Sequence, residues 1–472
     1  MAKWSLDQIA EWTQGQVLSR QQTTFSEVGT DTRQNLTGQV FVALKGDVYD
    51  AHAYLDQACA QGATALLVHE LPEKFQSLKE KVSIIQVPDT LKALQNFANG
   101  YRRSLKAKII GITGSNGKTT TKEFTAQILG TYRKTHYSQG SFNNHWGVPL
   151  TLLSAPVDSD FVVVEMGMNH AGEITQLVHI AEPDIVVCTM VGTAHLEFFG
   201  TQQNIAKAKS EIYLESKPEC IRIFNQDQDL TFDMMYPVAR KYPESRMLSF
   251  SELNPEADVF FKIETLKVKE LHISGLIATE HGEAIIPIFG KQNLVNLMAA
   301  ATIAYACKLS PEQIWKALPN CKTAWGRNQF IQTEVGAEIL FDGYNANPDS
   351  MRALLDNVPR LLSQGKKIGV FGQMKELGTQ SRAAHIDIAD VAGSSGFQQI
   401  YFIGEDHEAF AEGLKKSGFQ GQSFVQAEFS EALGQQLQQD LASGDIVVVK
   451  GSRGAKTERF VPFCKPLNWA VK

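Results

Sequence analysis

The sequence predicts an α/β protein of three domains, and three observations lead to that fold class. The chain has 472 residues, more than one ordinary domain contains. Apolar runs typical of β-strands alternate with helical segments along most of its length, as in mostly parallel sheets covered by helices. One such run, near residue 110, enters a glycine-rich turn that leads into a helix. We predict domains at residues 1–105, 106–321 and 322–472.

Composition and charge exclude several classes of protein. Hydrophobic residues make up 43% of the chain and charged residues 20%, as in globular proteins. The net charge of −6 argues against non-specific binding to nucleic acid or to membranes. No run reaches the roughly 18 apolar residues that span a bilayer, and the first residues lack the apolar core of a signal peptide. We therefore expect a cytoplasmic enzyme without a nucleic-acid partner or a membrane span.

The first domain is predicted to be a small α/β unit. Helices are expected at residues 5–12, 53–61 and 89–101, and strands at 40–44, 65–68 and 83–87. Within it, Asp31-Thr32-Arg33 precedes the first of these strands, and a guanidinium such as that of Arg33 can bind phosphate bidentately. Spacing alone favours a solvated surface arginine. The basic stretch 102–108 is predicted to be a linker.

Residues 109–121 form the pattern of a phosphate-binding loop. The apolar run 109–113 enters Gly114-Ser115-Asn116-Gly117 and leaves through Lys118-Thr119-Thr120 into a helix. Glycines let several backbone N–H groups face one anion, and the helix directs its positive end at that anion. The ammonium of Lys118 can neutralise the outer phosphates, and the Thr119 hydroxyl can hold Mg²⁺. Ile112 stands where the usual pattern has its first glycine, which indicates an unusual subclass.

Two further polar side chains follow buried strands of the central domain. Glu165 ends the apolar run 161–164, and His195 follows the run 185–190. The carboxyl ends of parallel strands lie at the same edge of a sheet as the phosphate loop, so both residues are candidate metal ligands. Lys209 lies on a predicted helix, and pattern alone indicates a solvated face. Asn143-Asn144, in a polar loop, offers donors and acceptors to a substrate.

The pattern changes twice in the rest of the chain. Short alternating runs between residues 246 and 288 predict an antiparallel section, and an apolar helix follows at 294–306, with Asn293 as candidate N-cap. From about residue 322 strands and helices alternate again, which predicts a doubly wound, Rossmann-like sheet. Polar clusters in this last domain indicate a cleft between domains. These clusters contain Arg327, Asp342, Asn345, Asn347, Lys450 and Arg453.

Taken in order, these motifs resemble those of the Mur ligases of peptidoglycan synthesis, over nearly the whole chain. The resemblance includes the loop at 113–120, Glu165-Met166-Gly167, Ala194-His195-Leu196-Glu197 and Ala208-Lys209-Ser210-Glu211-Ile212. Two stretches resemble the branch of the family that adds a D-alanyl-D-alanine dipeptide. They are Tyr344-Asn345-Ala346-Asn347-Pro348-Asp349-Ser350-Met351 and Lys450-Gly451-Ser452-Arg453.

The resemblance implies an activity, which is ATP-dependent ligation of D-alanyl-D-alanine to UDP-N-acetylmuramoyl-tripeptide (UDP-MurNAc-tripeptide). It implies a UDP-sugar domain, a central ATPase domain and a C-terminal Rossmann-like domain, in a bacterial cytoplasmic monomer. The implied ATP contacts are Gly114, Ser115, Asn116, Gly117, Lys118, Thr119, Thr120, Asn293, Arg327 and Asp342. The implied ligands of two Mg²⁺ ions are Thr119, Glu165, His195 and a carbamylated Lys209. The implied substrate contacts are Thr32, Arg33, Asn143, Asn144, Asn345, Asn347, Lys450 and Arg453.

Within that set, the resemblance implies catalytic roles for Lys118, His195 and Lys209. The chain departs from the family's usual residues at four positions, which belong to substrate loops and leave the reaction class unchanged. They are Ala51, Ser141, Trp146 and Gln373.

Three other functions predict different sequence features. A folylpolyglutamate synthase has a similar loop but should lack both the first domain and the stretch 344–349. A GTPase switch should carry an Asn-Lys-x-Asp motif, and the chain has no Asn-Lys dipeptide. A binding protein without catalysis should have lost loop or metal residues, and Lys118, Thr119 and Glu165 are all present.

Overall fold

Three large sheets organise the chain, together with a two-stranded ribbon near the N-terminus. The structure, a computed structural model, describes residues 3–46, 48–138 and 140–470. Each large sheet lies within one of the three predicted domains. The domain boundaries at residues 105 and 321 themselves stay a prediction. No helix in the described ranges is long and apolar enough to cross a membrane.

The first domain contains short strands and three α-helices. Its strands are β1 (Trp4–Ser5), β2 (Gln16–Ser19), β3 (Thr24–Phe25), β4 (Val28–Gly29), β5 (Val40–Val42), β6 (Ala65–Val68) and β7 (Ser83–Gln86). Its helices are α1 (Leu6–Thr13), α2 (Leu55–Ala60) and α3 (Thr90–Ser104), with 3₁₀ segments at Ala51–Tyr54 and Glu73–Glu80. β1 and β3 form the ribbon, and the sheet has the order β2-β7-β6-β5-β4. All pairs in this sheet except β2–β7 are parallel.

The prediction of a linker at residues 102–108 is wrong in its first part. Helix α3 continues to Ser104, so a short connection leads into the strand that begins at Lys108. Arg102 is buried, and its guanidinium pairs with Asp184 at 2.8 Å. It also donates hydrogen bonds to the carbonyls of Ala181 and Glu182. The ion pair and hydrogen bonds of Arg102 therefore link the first domain to the central domain.

The first two domains also share one hydrophobic core. Trp4 and Phe97 of the first domain belong to the same buried cluster as Val148 and Leu177 of the second. Apolar surface that is buried between two domains stabilises their relative position. We conclude that these domains form one packed unit.

The central domain is built on a nine-stranded sheet. Its strands are β8 (Lys108–Thr113), β9 (Thr135–Tyr137), β10 (Phe161–Glu165), β11 (Ile185–Cys188), β12 (Ile221–Asn225), β13 (Met247–Ser251), β14 (Val259–Leu266), β15 (Leu271–Ile277) and β16 (Glu280–Ile286). The order is β16-β15-β14-β13-β12-β11-β8-β10-β9. β15 and β16 are antiparallel to their neighbours, and the other pairs are parallel, which confirms the predicted antiparallel section.

Helices cover both faces of this sheet. They are α4 (Lys118–Gly130), α5 (Gly147–Ser154), α6 (Glu173–Ala181), α7 (Leu196–Phe199), α8 (Gln202–Leu214), α9 (Asp229–Phe232), α10 (Met235–Lys241), α11 (Leu294–Ala306) and α12 (Pro311–Ala317), with 3₁₀ turns at Lys291–Asn293 and Leu318–Asn320. Helix α11 has the predicted bounds. It is apolar on nearly all sides because it is buried on nearly all sides.

The C-terminal domain is a doubly wound sheet of six strands. The strands are β17 (Gln329–Gln332), β18 (Glu338–Asp342), β19 (Lys367–Gly372), β20 (Gln399–Ile403), β21 (Gln422–Gln426) and β22 (Ile446–Lys450), and the α-helices are α13 (Pro348–Leu355), α14 (Ser381–Ser394), α15 (His407–Lys416) and α16 (Glu431–Asp440). The order is β17-β18-β22-β19-β20-β21, with β17 antiparallel. The remaining pairs are parallel, which confirms the Rossmann-like prediction.

Candidate active site

The phosphate-type loop lies between β8 and α4, at the carboxyl edge of the central sheet. Its backbone is held so closely that two glycines are required. A Cβ on Gly114 would lie 2.0 Å from Thr189 Oγ1, and one on Gly117 would lie 2.2 Å from Asn296 Oδ1. Both glycines have positive φ, 150° and 82°. The Lys118 ammonium donates a hydrogen bond to the Gly114 carbonyl at 2.8 Å, across the turn. This concave backbone with a lysine at its rim fits a phosphate chain.

A carboxylate and a hydroxyl group lie beside the loop. Thr119 Oγ1 donates to Glu165 Oε2 at 2.9 Å, and Asn143 Nδ2 donates to Glu165 Oε1 at 2.8 Å. Glu165 is 1% exposed, so this carboxylate is buried with hydrogen-bond partners on both oxygens. Hydroxyl and carboxylate oxygens at the start of a phosphate-loop helix are ligands that suit Mg²⁺. The donor set therefore fits the predicted first metal.

His195 and Lys209 belong to the same edge of the sheet. His195 lies between β11 and α7 in the left-handed region, with φ 65°. Lys209 lies on α8 and is 1% exposed, which makes the prediction of a solvated face wrong. Helix α8 packs this side of its surface against the sheet.

Lys209 has an unusual environment for an amine. In the described part of the chain, no hydrogen bond or ion pair is made by its side chain. Burial, with a smaller effect of Lys118, lowers the pKa of Lys209 to about 7. A neutral amine is the form that reacts with CO₂, and a carbamate supplies oxygen ligands where an ammonium would repel a cation. A carbamate on Lys209 would therefore supply the oxygen ligands that a second Mg²⁺ prefers.

The C-terminal domain reaches over this site from the other side of a cleft. Asn347 Nδ2 donates to Asn116 Oδ1 of the phosphate-type loop at 2.8 Å. Asp349 Oδ2 accepts hydrogen bonds from the Thr193 N–H and hydroxyl, at 2.7 and 2.9 Å. The carboxyl edges of the central and C-terminal sheets thus face each other. The domains stand in a closed arrangement.

Other residues of the C-terminal domain pair among themselves. Lys450 is buried, forms an ion pair with Asp342, and donates to the Asn345 carbonyl at 3.2 Å. Burial lowers the pKa of Lys450, and the facing carboxylate opposes that shift. The Arg327 guanidinium lies 4.7 Å from the centre of the Tyr344 ring. Asp342 thus offsets the positive charge of Lys450 at the predicted anion-binding turn.

Arg453, at the other end of that turn, is directed toward an aromatic ring. Its guanidinium lies 5.4 Å from the centre of the Trp325 ring, a cation–π distance. The residue is exposed at the surface of the C-terminal domain.

A large cavity is lined by residues of both the first domain and the central domain. Its volume is about 1620 Å³, and Thr32 and Arg33 belong to its lining. Arg33 pairs with Asp31 at 2.8 Å and is largely exposed, in agreement with the solvated interpretation. Two aromatic pairs belong to the lining of the cavity, Tyr49 with Tyr54 from the first domain and Phe142 with Trp146 from the central domain. Trp146, noted in the sequence only as a departure from the family, is part of this lining.

Two predicted polar residues have structural partners. Asn293 occupies the predicted N-cap position of α11, but its side chain makes no cap hydrogen bond. Its Nδ2 donates instead to the Phe289 carbonyl at 2.8 Å. Asn144 Oδ1 accepts a hydrogen bond from the Gly147 N–H at 2.9 Å, at the start of α5. Ser115 and Thr120 are nearly buried within the loop and the first turn of α4.

Residues that the sequence did not single out also build the site. Thr189 Oγ1 donates to the Asn116 carbonyl at 2.6 Å, and Asn296 accepts from Thr121 Oγ1 at 3.2 Å. Glu376 Oε2 lies 2.8 Å from His195 Nδ1. Asn296 and Glu376 lie in the stretches 293–296 and 374–378, which also resemble those of Mur ligases, and that resemblance is the signal that could have indicated them.

Fold and site together define a three-domain nucleotide-binding enzyme that closes over its phosphate loop. Three family descriptions match the chain, "Mur ligase family, catalytic domain" at residues 24–102, "Mur ligase middle domain" at 112–304 and "Mur ligase, glutamate ligase domain" at 326–453. This protein belongs to the Mur ligase family.

Known proteins similar to the chain agree with that membership. The UDP-N-acetylmuramoyl-tripeptide–D-alanyl-D-alanine ligase of Bacillus subtilis is 33% identical over 463 residues, which are 98% of each chain. A crystal structure of MurF from Acinetobacter baumannii is 30% identical, covers 97% of this chain and 98% of its own, and has a TM-score of 0.85. The MurF ligase of Thermotoga maritima in complex with ADP is 26% identical, with a TM-score of 0.78 and coverages of 93% and 96%.

Proposed function

We propose that this chain is the ATP-dependent ligase that joins D-alanyl-D-alanine to UDP-MurNAc-tripeptide and produces the UDP-MurNAc-pentapeptide of cell-wall synthesis. One observation carries the proposal. The phosphate-type loop, with Glu165, His195 and Lys209 beside it, meets Asn347 of the C-terminal domain across a closed cleft. An ADP complex is known for a similar ligase, from Thermotoga maritima. We further propose that the enzyme is a cytoplasmic monomer.

ATP would lie in this cleft between the central and C-terminal domains. The N–H groups of residues 114–117 and the hydroxyls of Thr119 and Thr120 face its phosphates in this proposal. Lys118 exchanges its hydrogen bond with the Gly114 carbonyl for one with a phosphate oxygen. Asn293 of the central domain, with Arg327 and Asp342 of the C-terminal domain, contacts the nucleotide in this proposal.

Two Mg²⁺ ions are proposed beside the phosphates. Thr119 and Glu165 would hold the first, and His195 with a carbamylated Lys209 would hold the second. When bound, such ions withdraw charge from the transferring phosphoryl group and reduce its repulsion of an attacking carboxylate. Glu165 ends β10 and His195 follows β11, whereas Thr119 and Lys209 lie on the helices α4 and α8.

The substrates are proposed to enter from two sides. The cavity between the first and central domains, with Thr32 and Arg33, has the volume and the aromatic walls for a UDP-sugar. Asn345, Asn347, Lys450 and Arg453 surround the D-alanyl-D-alanine side of the cleft in this proposal. Asn143 and Asn144 lie in the loop that connects the UDP-sugar cavity with the cleft in this proposal. Asn143 also donates a hydrogen bond to Glu165.

The proposed chemistry has two steps. The terminal carboxylate of the tripeptide attacks the γ-phosphorus, a new C–O–P linkage forms, and ADP leaves. The amine of D-alanyl-D-alanine then attacks the acyl carbon, an amide forms, and inorganic phosphate leaves with the C–O bond broken. Lys118 stabilises charge on the transferring group, and the closed cleft excludes the water that would hydrolyse the acyl phosphate.

A folylpolyglutamate synthase-like activity is the second candidate, and the chain does not favour it. That alternative was expected to lack the first domain, yet the family match extends over residues 24–102. The 344–349 stretch, also expected to be absent, supplies Asn347 to the cleft.

Phosphate release tests the proposed function directly. Purified protein with ATP, Mg²⁺ and UDP-MurNAc-tripeptide should release phosphate at a high rate once D-alanyl-D-alanine is added. Folate with glutamate in place of these substrates is the matched comparison. Phosphate release that requires folate and glutamate, and is unaffected by D-alanyl-D-alanine, would contradict the proposal.

A further inference from the structure

We propose that Glu376 of the C-terminal domain is a positioning residue for His195, so that closure of this domain completes the second metal site. The inference rests on the proposed function and extends it. It concerns the control of the site, since the central domain alone then holds both proposed ligands of the second cation but not the carboxylate that orients His195.

The two side chains meet across the cleft. His195 Nδ1 lies 2.8 Å from Glu376 Oε2, and the ring nitrogen has no well-aligned hydrogen-bond partner within the described residues. Contacts of this kind are often poorly aligned before substrates bind and tighten in the complete complex. Glu376 is about half exposed, whereas His195 is 18% exposed. The carboxylate thus covers a mostly buried ring from the solvent side.

Backbone strain occurs on both sides of this contact. His195 has φ 65° and Glu376 has φ 64°, a left-handed conformation that non-glycine residues adopt at a cost. The surrounding structure must hold each residue there. That two such residues contact each other indicates a geometry selected for the contact.

The turn that carries Glu376 is fixed in its own domain. Met374 and Leu377, on either side, are buried in the core of the C-terminal domain. The Met374 N–H donates to His385 Nε2 at 3.0 Å, and Ser452 Oγ donates to the Gln373 carbonyl at 2.6 Å. The carboxylate is therefore delivered as part of a rigid domain.

The turn also packs against the helix that follows His195. A Cβ on Gly378 would lie 3.1 Å from Glu197 Cγ, and this glycine has φ 53°. A larger residue would push the turn away from α7. The close approach sets the distance at which Glu376 faces the ring.

Imidazole chemistry explains what the contact does. A carboxylate beside Nδ1 keeps the proton on that nitrogen, so the lone pair of Nε2 is free for a metal ion. Carboxylates in this position also fix the orientation of the ring. An ordinary surface ion pair would not fix the tautomer or the orientation of the ring, since such pairs contribute little to stability.

The test compares Glu376→Gln with Glu428→Gln, an exposed glutamate of the same domain. Binding of Mn²⁺ is followed by electron paramagnetic resonance, with a non-hydrolysable ATP analogue and UDP-MurNAc-tripeptide present. We expect two ions on the wild type, and a 10–100-fold weaker second ion on Glu376→Gln with the first unchanged. The Glu428→Gln variant should bind both ions like the wild type, and both variants should keep the wild-type Tm.

The outcomes separate this inference from the proposed function. If the wild type ligates and binds two ions, but Glu376→Gln also binds both ions normally, Glu376 has no positioning role. If the wild type shows no ligation or binds a single ion, the proposed two-metal function fails and this inference fails with it. A kcat that falls 10–100-fold in Glu376→Gln, with an unchanged KM for ATP, supports the role independently.

Discussion

At the scale of single residues, two lysines of the cleft differ in burial and in hydrogen bonding, and therefore in their proposed roles. Lys118 donates to the Gly114 carbonyl, a bond that a phosphate oxygen can replace. Lys209 has no such partner in the described ranges, and its pKa is lowered to about 7. Burial also lowers the pKa of Lys118. The Lys118 amine is therefore suited to bind an anion such as phosphate. The Lys209 amine is suited to form a carbamate, which is itself an anion.

Replacing Lys118 by alanine should reduce ligation by at least about 10²–10³-fold, because the variant loses charge stabilisation of the transferring phosphoryl group. Phosphate release measures the effect, and the Tm should stay within a few degrees because no packed residue depends on this amine. Lys106→Ala, an exposed lysine of the same chain, should retain full activity. Undiminished ATP-dependent ligation by Lys118→Ala would contradict the assignment.

Lys209→Ala should lose about 10–100-fold in rate, since the proposed carbamate ligand disappears. Short carboxylates such as acetate should partly restore the rate by occupying the vacated position. Lys207→Ala, two residues away on the exposed side of α8, is the matched control and should behave as wild type. Full activity of Lys209→Ala without added carboxylate would remove the carbamate proposal.

At the scale of elements, the stretch between β18 and α13 connects the cleft to the C-terminal sheet. Asn347 begins α13 by accepting a hydrogen bond from the Ser350 N–H, and its amide also reaches the phosphate-type loop. The Tyr344 hydroxyl donates to Ser141 Oγ at 2.7 Å on the central domain. Ser141, a departure from the family, thus has a partner across the cleft.

Tyr344→Phe should lower kcat/KM about fivefold, because a neutral hydrogen bond formed in the closed arrangement contributes about 1 kcal/mol. Steady-state kinetics with all three substrates gives the number, and the Tm should be unchanged. Tyr236→Phe, at an exposed position, serves as control. Equal kcat/KM values for Tyr344→Phe and wild type would show that this bond does not contribute to closure.

How much the sequence predicts also differs between elements. The bounds of α11 agree with the predicted helix at 294–306, since a long buried element has a clear apolar pattern. The two-residue strands β1, β3 and β4 carry no such pattern, because their pairing depends on distant chain segments. The linker prediction failed because the basic pair Arg102-Arg103 does not reveal its acidic partners on the next domain, Asp184 and Glu182.

The candidate site was predictable to the extent that it follows strand ends. Glu165 and His195 come from the rule that parallel strands present their carboxyl ends at one edge. The burial of Lys209 was not predictable from its neighbours, since Lys207 beside it is exposed. The contact of Glu376 with His195 depends on the relative position of two domains, which no local pattern contains.

At the scale of the whole molecule, buried histidines link stability to pH. His52 and His385 are 3% and 1% exposed, and burial lowers the pKa of each below 6.5. The unfolded chain therefore binds more protons than the folded one as the pH falls below about 6.5. The stability from these groups is fully present above that pH and is lost progressively below it.

Thermal melts should show this linkage. Between pH 6.5 and 5.5 the free energy of unfolding should fall by up to about 1.4 kcal/mol per buried histidine and pH unit. Between pH 7 and 8 both histidines are neutral in either state, so the Tm should change less. A Tm that rises as the pH is lowered from 6.5 to 5.5 would contradict the assignment.

The core shared by the first two domains bears on how the chain loses its structure. Trp4 and Phe97 lie in one cluster with Val148, whereas the C-terminal sheet packs largely on its own apolar side chains. A calorimeter should therefore register two cooperative units rather than three. For the same reason, exchanging the segment before residue 105 between related proteins should disrupt a shared core. A chimera joined near residue 322 should disrupt far less buried apolar surface.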